Sequence, residues 1–259
     1  MKNFINKLIN LFGYKIIKVS SIDKSDLNQI TKILIQNPEP IIFDVGANKG
    51  QSIDRYKKLF SKPEIHSFEP NPVEVNNMKE KYKNEKKIIL NNCAVGEKEG
   101  KMDFNIMADS SHSSFKNLIP DTTWLKKRSQ TAKVQPKEYR TKKVSTNLIS
   151  LDDYSEKNNI QNIDILKIDT QGYEDKVLLG AEKLIKNRRI KLIQLEIIFS
   201  EIYEKPLQIY DIEKTLIPNK YKFFGTSNGG SLVSEYVYQS DFIYVSPDVY
   251  ENFRLNVTV

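Results

Sequence analysis

The sequence predicts an α/β fold in which helices cover both faces of a mostly parallel β-sheet. Short apolar runs alternate with amphipathic helical patterns along most of the chain, as expected for repeated strand, helix, strand units. Several of these runs end in polar or glycine-rich turns, such as DVGANKG at residues 44–50. Open parallel sheets bind their ligands at the carboxyl ends of the strands, so these turns mark the expected functional edge.

The composition is that of an ordinary globular protein. The 259 residues are 39% hydrophobic and 28% charged, which suits one large domain with a full core. No apolar run reaches the ~18 residues that cross a bilayer, and residues 1–18 lack a signal-peptide cleavage site, so we expect a cytoplasmic protein with at most peripheral membrane contact. The single cysteine, Cys93, excludes an intramolecular disulfide and argues against a zinc site.

Residues 1–39 are predicted to form an N-terminal helical extension, and residues 40–259 the main domain. Apolar residues recur at helical spacing from Phe4 to Phe12, with polar residues opposite. We expect this helix to pack on the main domain or on a second copy of the chain, as in a homodimer.

The first half of the main domain contains three predicted strands separated by two helices. The helices are QSIDRYKKLF (51–60) and NPVEVNNMKEKYKN (71–84), and the strands are PIIFDV (40–45), EIHSFEP (64–70) and KIILNNCAVG (87–96). The alternation resumes with the strand NIDILKID (162–169), the helix YEDKVLLGAEKLIKN (173–187), the strand IKLIQLEII (190–198) and the helix LQIYDIEKTLI (207–217). Two late runs, YKFFGTS and DFIYVS, predict a terminal antiparallel pair.

A basic segment at residues 107–145, here called the lid, interrupts this alternation. It is rich in Ser, Thr, Pro and Lys, and we expect a long loop with a short helix around Trp124. Between Lys126 and Lys143 it carries eight basic residues against one acid, Glu138. Such a run is either solvated surface or a cationic rim that attracts an anionic acceptor.

The turn after the first strand indicates a nucleoside-containing cofactor. Gly46 and Gly50 allow a sharp turn and a close approach to a ligand, and Glu69 ends the next strand, where it can accept hydrogen bonds from a ribose. A dinucleotide fingerprint would have glycine in place of Asn48, and Asp44 disfavours a pyrophosphate. The alternatives are a cationic cofactor without phosphate, such as S-adenosylmethionine, and a tight turn that binds nothing.

The motifs FDVGANKG, SFEPNP, NCAVG, SLDDY and LKIDTQGYEDKVLLGA, followed by YKFFGTSNGG and DFIYVSP, resemble those of the FkbM-family methyltransferases in order and spacing. The resemblance implies a class I methyltransferase (Rossmann-like) fold, with a seven-stranded sheet and one reversed strand, that uses S-adenosylmethionine to methylate hydroxyl oxygens on sugars and on glycosylated or polyketide products. The cofactor-binding residues that it implies are Asp44, Gly46, Ala47, Asn48, Gly50, Glu69, Pro70, Asn92, Cys93, Ala94 and Asp169.

The strand end LKIDTQGYE is expected to carry the catalysis. Asp169 is our first candidate for the base that removes the acceptor's proton, although it can equally cap the turn through neighbouring amides. The family usually has glutamate at position 171, where this chain has Gln171, and Gln171 can still hydrogen-bond an acceptor. Glu174 lies at the start of a helix, where the dipole stabilises an acid, so its role can be structural.

Further candidates lie in the lid and on the next strand. His112 is a second candidate base, since a histidine titrates near neutral pH, and it can equally be incidental. Glu196 ends the strand LIQLE, and with Asp169 it can hold Mg²⁺ if their strands are adjacent. The predicted acceptor-binding residues are Ser113, Ser114, Gln171 and Tyr173.

These features favour an O-methyltransferase acting on a carbohydrate hydroxyl, in a surface-polysaccharide or glycoconjugate pathway. The basic lid suggests an acceptor that is anionic or phosphate-linked, such as a nucleotide sugar. DTQGYE lacks the Asn/Asp-Pro-Pro-aromatic pattern of enzymes that methylate bases, and no nucleic-acid-binding module is recognisable, so no specific nucleic acid is expected. The alternatives are a non-catalytic scaffold of the same fold, or an RNA, lipid or polyketide acceptor.

Overall fold

The computed structural model describes residues 26–227 and 238–256. The helix predicted between Phe4 and Phe12 and the turn NGG therefore lie outside the described residues. Within the two described ranges, no helix is long and apolar enough to cross a membrane.

The described chain alternates strands and helices, as predicted. The strands are β1 (Ile41–Val45), β2 (Glu64–Phe68), β3 (Ile88–Asn91), β4 (Ala94–Val95), β5 (Gly100–Met107), β6 (Arg140–Ile149), β7 (Ile163–Ile168), β8 (Ile190–Ile198), β9 (Lys222–Thr226) and β10 (Gln239–Val245). The helices are α1 (Leu27–Leu34), α2 (Gln51–Leu59), α3 (Pro72–Lys81), α4 (Thr123–Ala132), α5 (Leu151–Lys157), α6 (Glu174–Leu179), α7 (Glu182–Lys186), α8 (Ile209–Leu216) and α9 (Pro247–Asn256).

Seven strands form the main sheet, in the order β3-β2-β1-β7-β8-β10-β9. Strands β3, β2, β1, β7 and β8 pair in parallel, whereas β10 runs antiparallel to both β8 and β9. The prediction of a mostly parallel seven-stranded sheet with one reversed strand is confirmed. The expected terminal antiparallel pair is β9 with β10.

Two apolar cores hold helices on the two faces of the sheet. Helices α1, α2, α3 and α9 pack on one face and α5 to α8 on the other, which makes three layers. All six residues of β7 are buried, because both of its faces are covered. Each fully buried Ile or Leu contributes about 1.5–3 kcal/mol of apolar burial, so these layers hold the strand ends in place.

The lid differs from its prediction at its carboxyl-terminal end. Helix α4 forms around Trp124 as expected, but residues 140–145 belong to β6, which pairs antiparallel with β5 along its length. The prediction of a long loop was wrong here. The start of β6 is exposed and shows no apolar alternation, but its backbone still pairs with β5, with one register shift between Ile106 and Met107. A small sheet of order β4-β6-β5 results.

Two predicted elements are divided in the structure. The run KIILNNCAVG supplies β3 to the main sheet and β4 to the small sheet. The helix expected at residues 173–187 is two helices, α6 and α7. The carboxylate of Asp152 accepts hydrogen bonds from the backbone N–H groups of Lys183 and Leu184, at 2.9 and 3.0 Å, and so caps the start of α7.

Candidate active site

A cleft of about 260 Å³, here called the main cleft, opens at the carboxyl ends of the main-sheet strands. The loops after β1, β2 and β7 line it, together with Glu196 on β8 and residues 110–113 of the lid. Of the predicted cofactor residues, seven line the main cleft: Gly46, Ala47, Asn48, Glu69, Pro70, Ala94 and Asp169. Asp44, Gly50, Asn92 and Cys93 do not line it.

The turn after β1 has left-handed backbone at three positions. The φ angles are +82° at Gly46, +47° at Asn48 and +80° at Gly50. A Cβ atom on Gly46 would overlap the carbonyl oxygen of Asp169 and lie 2.8 Å from its carbonyl carbon. Gly46 therefore allows the loops after β1 and β7 to touch, which brings the two strongest motifs of the sequence into one wall.

Asp44 lies beneath this turn, fully buried at the end of β1. Neither carboxylate oxygen accepts a hydrogen bond from the described residues, although Lys167 Nζ lies 3.6 Å from Oδ1. Burial raises the pKa of Asp44, and the positive charge of Lys167 opposes that rise. A buried carboxylate with this little compensation favours a cationic ligand in the adjoining cleft.

Glu69, directly after β2, stabilises the turn after β1 through hydrogen bonds to its carboxylate. One carboxylate oxygen accepts from the backbone N–H of Asn48 and the other from that of Asn71, both at 2.8 Å. Burial raises the pKa of Glu69 to about 7, against the effect of these two hydrogen bonds. A carboxylate has about four acceptor positions, so Glu69 can still accept from a diol.

The other two predicted residues outside the cleft have structural contacts. Asn92 Nδ2 donates to the backbone carbonyls of Glu69 and Pro70, at 3.0 and 3.3 Å, so it supports the Glu69 loop from behind. Cys93 is buried, and this burial raises the pKa of its thiol to about 11, which suits packing.

An amide group joins the two predicted catalytic carboxylates. Gln171 Nε2 donates to Asp169 Oδ1 at 3.0 Å and to Glu196 Oε2 at 2.8 Å. Gln239 Nε2 donates to the other oxygen of Glu196 at 2.6 Å, and Lys167 Nζ donates to Asp169 Oδ2 at 3.2 Å. The strands do bring Asp169 and Glu196 together, through the residue where this chain departs from the FkbM pattern.

The two carboxylates have opposite protonation preferences. Burial favours the neutral acid of Asp169, but Lys167 and the donor from Gln171 outweigh it, so the pKa of Asp169 lies below its usual value. Burial and the neighbouring Asp169 raise the pKa of Glu196 well above its usual value. Asp169 is therefore the carboxylate at neutral pH, and Glu196 holds a proton.

The residues around this pair do not fit the expected Mg²⁺ site. An amide N–H group and an ammonium group point at the carboxylates, and such donors compete with a cation for the same oxygens. Across the described residues, no group of three or more His, Cys, Asp or Glu side chains could hold a metal ion.

Glu174, rather than Asp169, caps the loop after β7. Its Oε1 accepts from the backbone N–H of Thr170 at 2.9 Å and from the Thr170 hydroxyl at 3.0 Å, and its Oε2 accepts from the N–H of Gly172 at 3.1 Å. The suggestion that Asp169 caps the turn was wrong, since its oxygens accept from Gln171 and Lys167. The carboxylate of Asp169 is thereby available at the cleft wall.

His112 lies in a short 3₁₀ turn, Ser110–His112, at the rim of the main cleft. Its Nδ1 is 2.8 Å from the Tyr139 hydroxyl, and its ring packs edge-on against Trp124 at 4.9 Å. Burial lowers its pKa, so the imidazole is neutral at pH 7. The Tyr203 hydroxyl lies 2.8 Å from the His112 carbonyl oxygen and 3.1 Å from Gln171 Oε1, which joins the lid to the loop after β7.

The predicted acceptor residues separate into two pairs. Ser113 and Gln171 line the main cleft. Ser114 is fully buried, with its hydroxyl donating to the Gln171 carbonyl at 2.7 Å. Tyr173 does not line the cleft itself, but its ring packs on that of the lining residue Phe115, with 4.8 Å between the ring centroids.

Sequence reasoning missed several residues of the main cleft. Lys167 had a visible signal, a charged residue inside an otherwise apolar strand. Phe104, Phe115 and Gln239 had none, because their strand and loop positions become part of the cleft only through tertiary packing. The further lining residues that were not predicted include Val45, Gln51, Ser52, Phe68, Ser110, Ser111 and Thr170.

Comparison with known proteins agrees with this geometry. The model of the methyltransferase FkbM domain matches residues 44–224. The 2-O-methyltransferase NoeI of Sinorhizobium fredii is 25% identical over 186 residues, covering 68% of this chain and 70% of NoeI.

A crystal structure of methyltransferase FkbM from Methylobacillus flagellatus KT aligns with a TM-score of 0.51 and 14% identity, covering 80% of this chain. The alignment covers 44% of that protein, so this chain spans less than half of its length. The prediction of an S-adenosylmethionine-dependent methyltransferase is confirmed at the level of the family. With the family model matching most of the main domain, the chain belongs to the FkbM methyltransferase family.

Proposed function

We propose that this protein is an O-methyltransferase that uses Asp169 to deprotonate a hydroxyl of a carbohydrate acceptor. The observation that carries the proposal is the carboxyl group of Asp169 at the wall of the main cleft, where Lys167 and Gln171 donate hydrogen bonds to it and Gln171 links it to Glu196. A hydroxyl is a poor nucleophile until a base takes its proton, and Asp169 is placed and charged for that task.

The lining residues fit S-adenosylmethionine. Phe68, Phe104 and Phe115 give the cleft apolar surface suited to an adenine ring, and Glu69 has free acceptor positions for ribose hydroxyls. Gly46 leaves the backbone of the turn without a side chain, and Asp44 lies buried beneath that turn without a hydrogen-bond partner among the described residues. When bound, this cofactor supplies a methyl group activated by positive sulfur. The protein aligns the acceptor and removes its proton.

His112 is the second candidate base. It is neutral and lies at the cleft rim, but its Nδ1 is engaged with the Tyr139 hydroxyl, so only Nε2 can act. We favour Asp169 over His112, because both hydrogen-bond partners of Asp169 are donors and so stabilise its carboxylate form.

A carbohydrate acceptor is supported by the polar lining residues of the main cleft. Gln51, Ser52 and Gln239 line it together with Asp169 and Glu196, and amide, hydroxyl and carboxyl groups of this kind hydrogen-bond to sugar hydroxyls. The relative NoeI is named as a 2-O-methyltransferase, which is consistent with transfer to oxygen. We assign the reaction to a cytoplasmic step of surface-polysaccharide or glycoconjugate synthesis.

A second opening, here called the basic groove, supports an anionic or phosphate-linked acceptor. It measures about 550 Å³, meets the main cleft at Ser110, and is lined by Lys49, Arg128 and Lys142. Lys126 and Lys127 are exposed on α4 and do not line it. The acidic residues Glu74 and Asp109 offset part of this charge.

The test of function is incubation with isotope-labelled S-adenosylmethionine and a panel of nucleotide sugars and glycans, read by mass spectrometry for one added methyl group. We expect transfer to a carbohydrate, a loss of roughly 100-fold or more in Asp169→Asn, and a smaller loss in His112→Gln. Methyl transfer to RNA or protein alone would refute the proposal of a carbohydrate acceptor. Full activity in Asp169→Asn would refute the assignment of Asp169 as the base. Failure of the protein to bind S-adenosylmethionine would favour a non-catalytic scaffold.

The charge proposal has its own matched pair of variants. We expect Arg128→Gln with Lys142→Gln to raise the KM for an anionic acceptor and to reduce its salt dependence, because these side chains line the basic groove. Lys126→Gln with Lys127→Gln removes the same charge outside the groove and should change little. Equal effects in the two double variants would contradict a local binding role.

A further inference from the structure

Lys167 occupies an unusual position for a lysine. It lies inside β7, where all six residues are buried, and its side chain is 8% exposed. In the sheet register it is paired with Asp44 on β1 and Gln194 on β8. Burying an ammonium group is costly unless it is paired, so this position requires a compensating partner.

The compensation comes from two carboxylates. Lys167 Nζ lies 3.2 Å from Asp169 Oδ2 and 3.6 Å from Asp44 Oδ1. Asp169 belongs to the proposed catalytic pair, and Asp44 lies beneath the turn of the proposed cofactor site. A single buried cation therefore contacts both the candidate base and the acid beneath the turn after β1.

Around Lys167 and Asp169, acidic side chains outnumber basic ones. Asp169 faces Glu196 on β8, Asp241 on β10 and His112 in the lid. Asp44 also interacts with Arg55 on α2, and Lys167 with Tyr56 beside it. Arg55 donates to Gln194 Oε1 on β8 at 3.1 Å, and Gln194 in turn donates to Asp241 on β10 at 2.9 Å, so the hydrogen bond of Arg55 goes to β8. Lys167 is then the cation in direct contact with Asp169 among the described residues.

We propose that Lys167 is a positioning residue that holds Asp169 in its carboxylate form at the wall of the main cleft. The inference rests on the role given to Asp169 in the proposed function. Without the ammonium group, Asp169 would be a partly buried acid close to Asp44, Glu196 and Asp241, and repulsion and desolvation would raise its pKa and so its protonated fraction. A protonated Asp169 could not accept the proton of an acceptor hydroxyl.

The directions of the pKa shifts agree with this geometry. Burial disfavours the charged form of Lys167, yet Asp169 and Asp44 raise its pKa above the usual lysine value. Lys167 is the largest influence that lowers the pKa of Asp169. The ammonium and the carboxylate thus stabilise each other's charge.

The test is a titration of Asp169 by ¹³C NMR in protein labelled at the aspartate γ-carbon, with the signal assigned from its absence in Asp169→Asn. In the wild type we expect Asp169 to titrate below the ordinary aspartate range, in the direction in which Lys167 shifts its pKa. In Lys167→Met we expect its midpoint to rise by about 2 pH units, the size of a close opposite charge. Lys167→Arg keeps the charge and is expected to retain most of the low midpoint.

An unchanged midpoint in Lys167→Met would overturn the proposal. If that variant does not fold, as judged by circular dichroism, Lys167→Gln is titrated in its place. The wild-type titration alone also tests the proposal, because a midpoint for Asp169 above pH 6 would show that Lys167 does not hold it ionised. The titration needs no acceptor, so the two proposals can fail separately. An unchanged midpoint in Lys167→Met together with loss of methyl transfer in Asp169→Asn would overturn the role of Lys167 alone. A raised midpoint together with full activity in Asp169→Asn would overturn the role of Asp169 as the base.

Discussion

Replacing Gly46 with alanine tests whether contact between the loops after β1 and β7 builds the main cleft. The new Cβ would overlap the carbonyl oxygen of Asp169 and lie 2.8 Å from its carbonyl carbon, and both atoms belong to backbone that cannot rotate away. At a φ of +82°, alanine also carries a left-handed penalty of ~1–2 kcal/mol. Overpacking adds ~1–3 kcal/mol, so we expect Gly46→Ala to lower the free energy of unfolding by ~2–5 kcal/mol.

The same displacement moves Asp169 away from the turn, so cofactor affinity should fall by about tenfold or more, equivalent to ~1.4 kcal/mol. Urea unfolding measures the first effect and isothermal titration with S-adenosylmethionine the second. Gly100→Ala is the matched control, because a Cβ atom there meets no atom within 4 Å and the position is exposed at the start of β5. If the two variants have equal stability and equal affinity, the loops do not depend on this contact.

Three further predictions concern stability and are measured by urea unfolding. Because Glu69 has its pKa raised from 4.5 to about 7, the folded state binds its proton more tightly than the unfolded chain. The wild-type advantage over Glu69→Gln should therefore shrink by about 2.5 kcal/mol between pH 5 and 8, and a constant difference would contradict the shift. Glu174→Gln, which loses acceptors for loop N–H groups, should cost ~1–3 kcal/mol, whereas the exposed control Glu182→Gln should stay within ~0.5 kcal/mol. Tyr203→Phe, which removes the hydroxyl beside the His112 carbonyl, should cost ~1–3 kcal/mol, and the exposed control Tyr210→Phe should cost almost nothing; equal values would argue against the lid contact.

The residues at strand ends could be found from the sequence. Asp44, Glu69 and Asp169 each follow a recognisable apolar run, and parallel strands bring their carboxyl ends to one edge. Local spacing was therefore enough to place one wall of the main cleft. The prediction of seven strands with one reversed came from the family motifs, because the apolar runs do not show which strands lie next to each other in the sheet.

Contacts that depend on strand register could not be found in the same way. The pairing of Lys167 with Asp44 requires β1 and β7 to be adjacent and in a particular register, although more than a hundred residues separate them along the chain. The bridge from Gln171 to Glu196 likewise requires β8 to follow β7 in the sheet. Both contacts come from the tertiary fold, which periodicity alone does not encode.

Strand β6 changes what the basic residues of the lid can do. The backbone of Arg140, Lys142 and Lys143 is paired with β5, so the Cα atoms of these basic residues are held in a fixed arrangement. A disordered basic loop would lose about 1–2 kcal/mol of backbone entropy per residue on closing around an anion. In this protein that entropy is already lost when the chain folds. The paired cations are therefore preorganised, and an anion that meets them needs to restrict only their side chains.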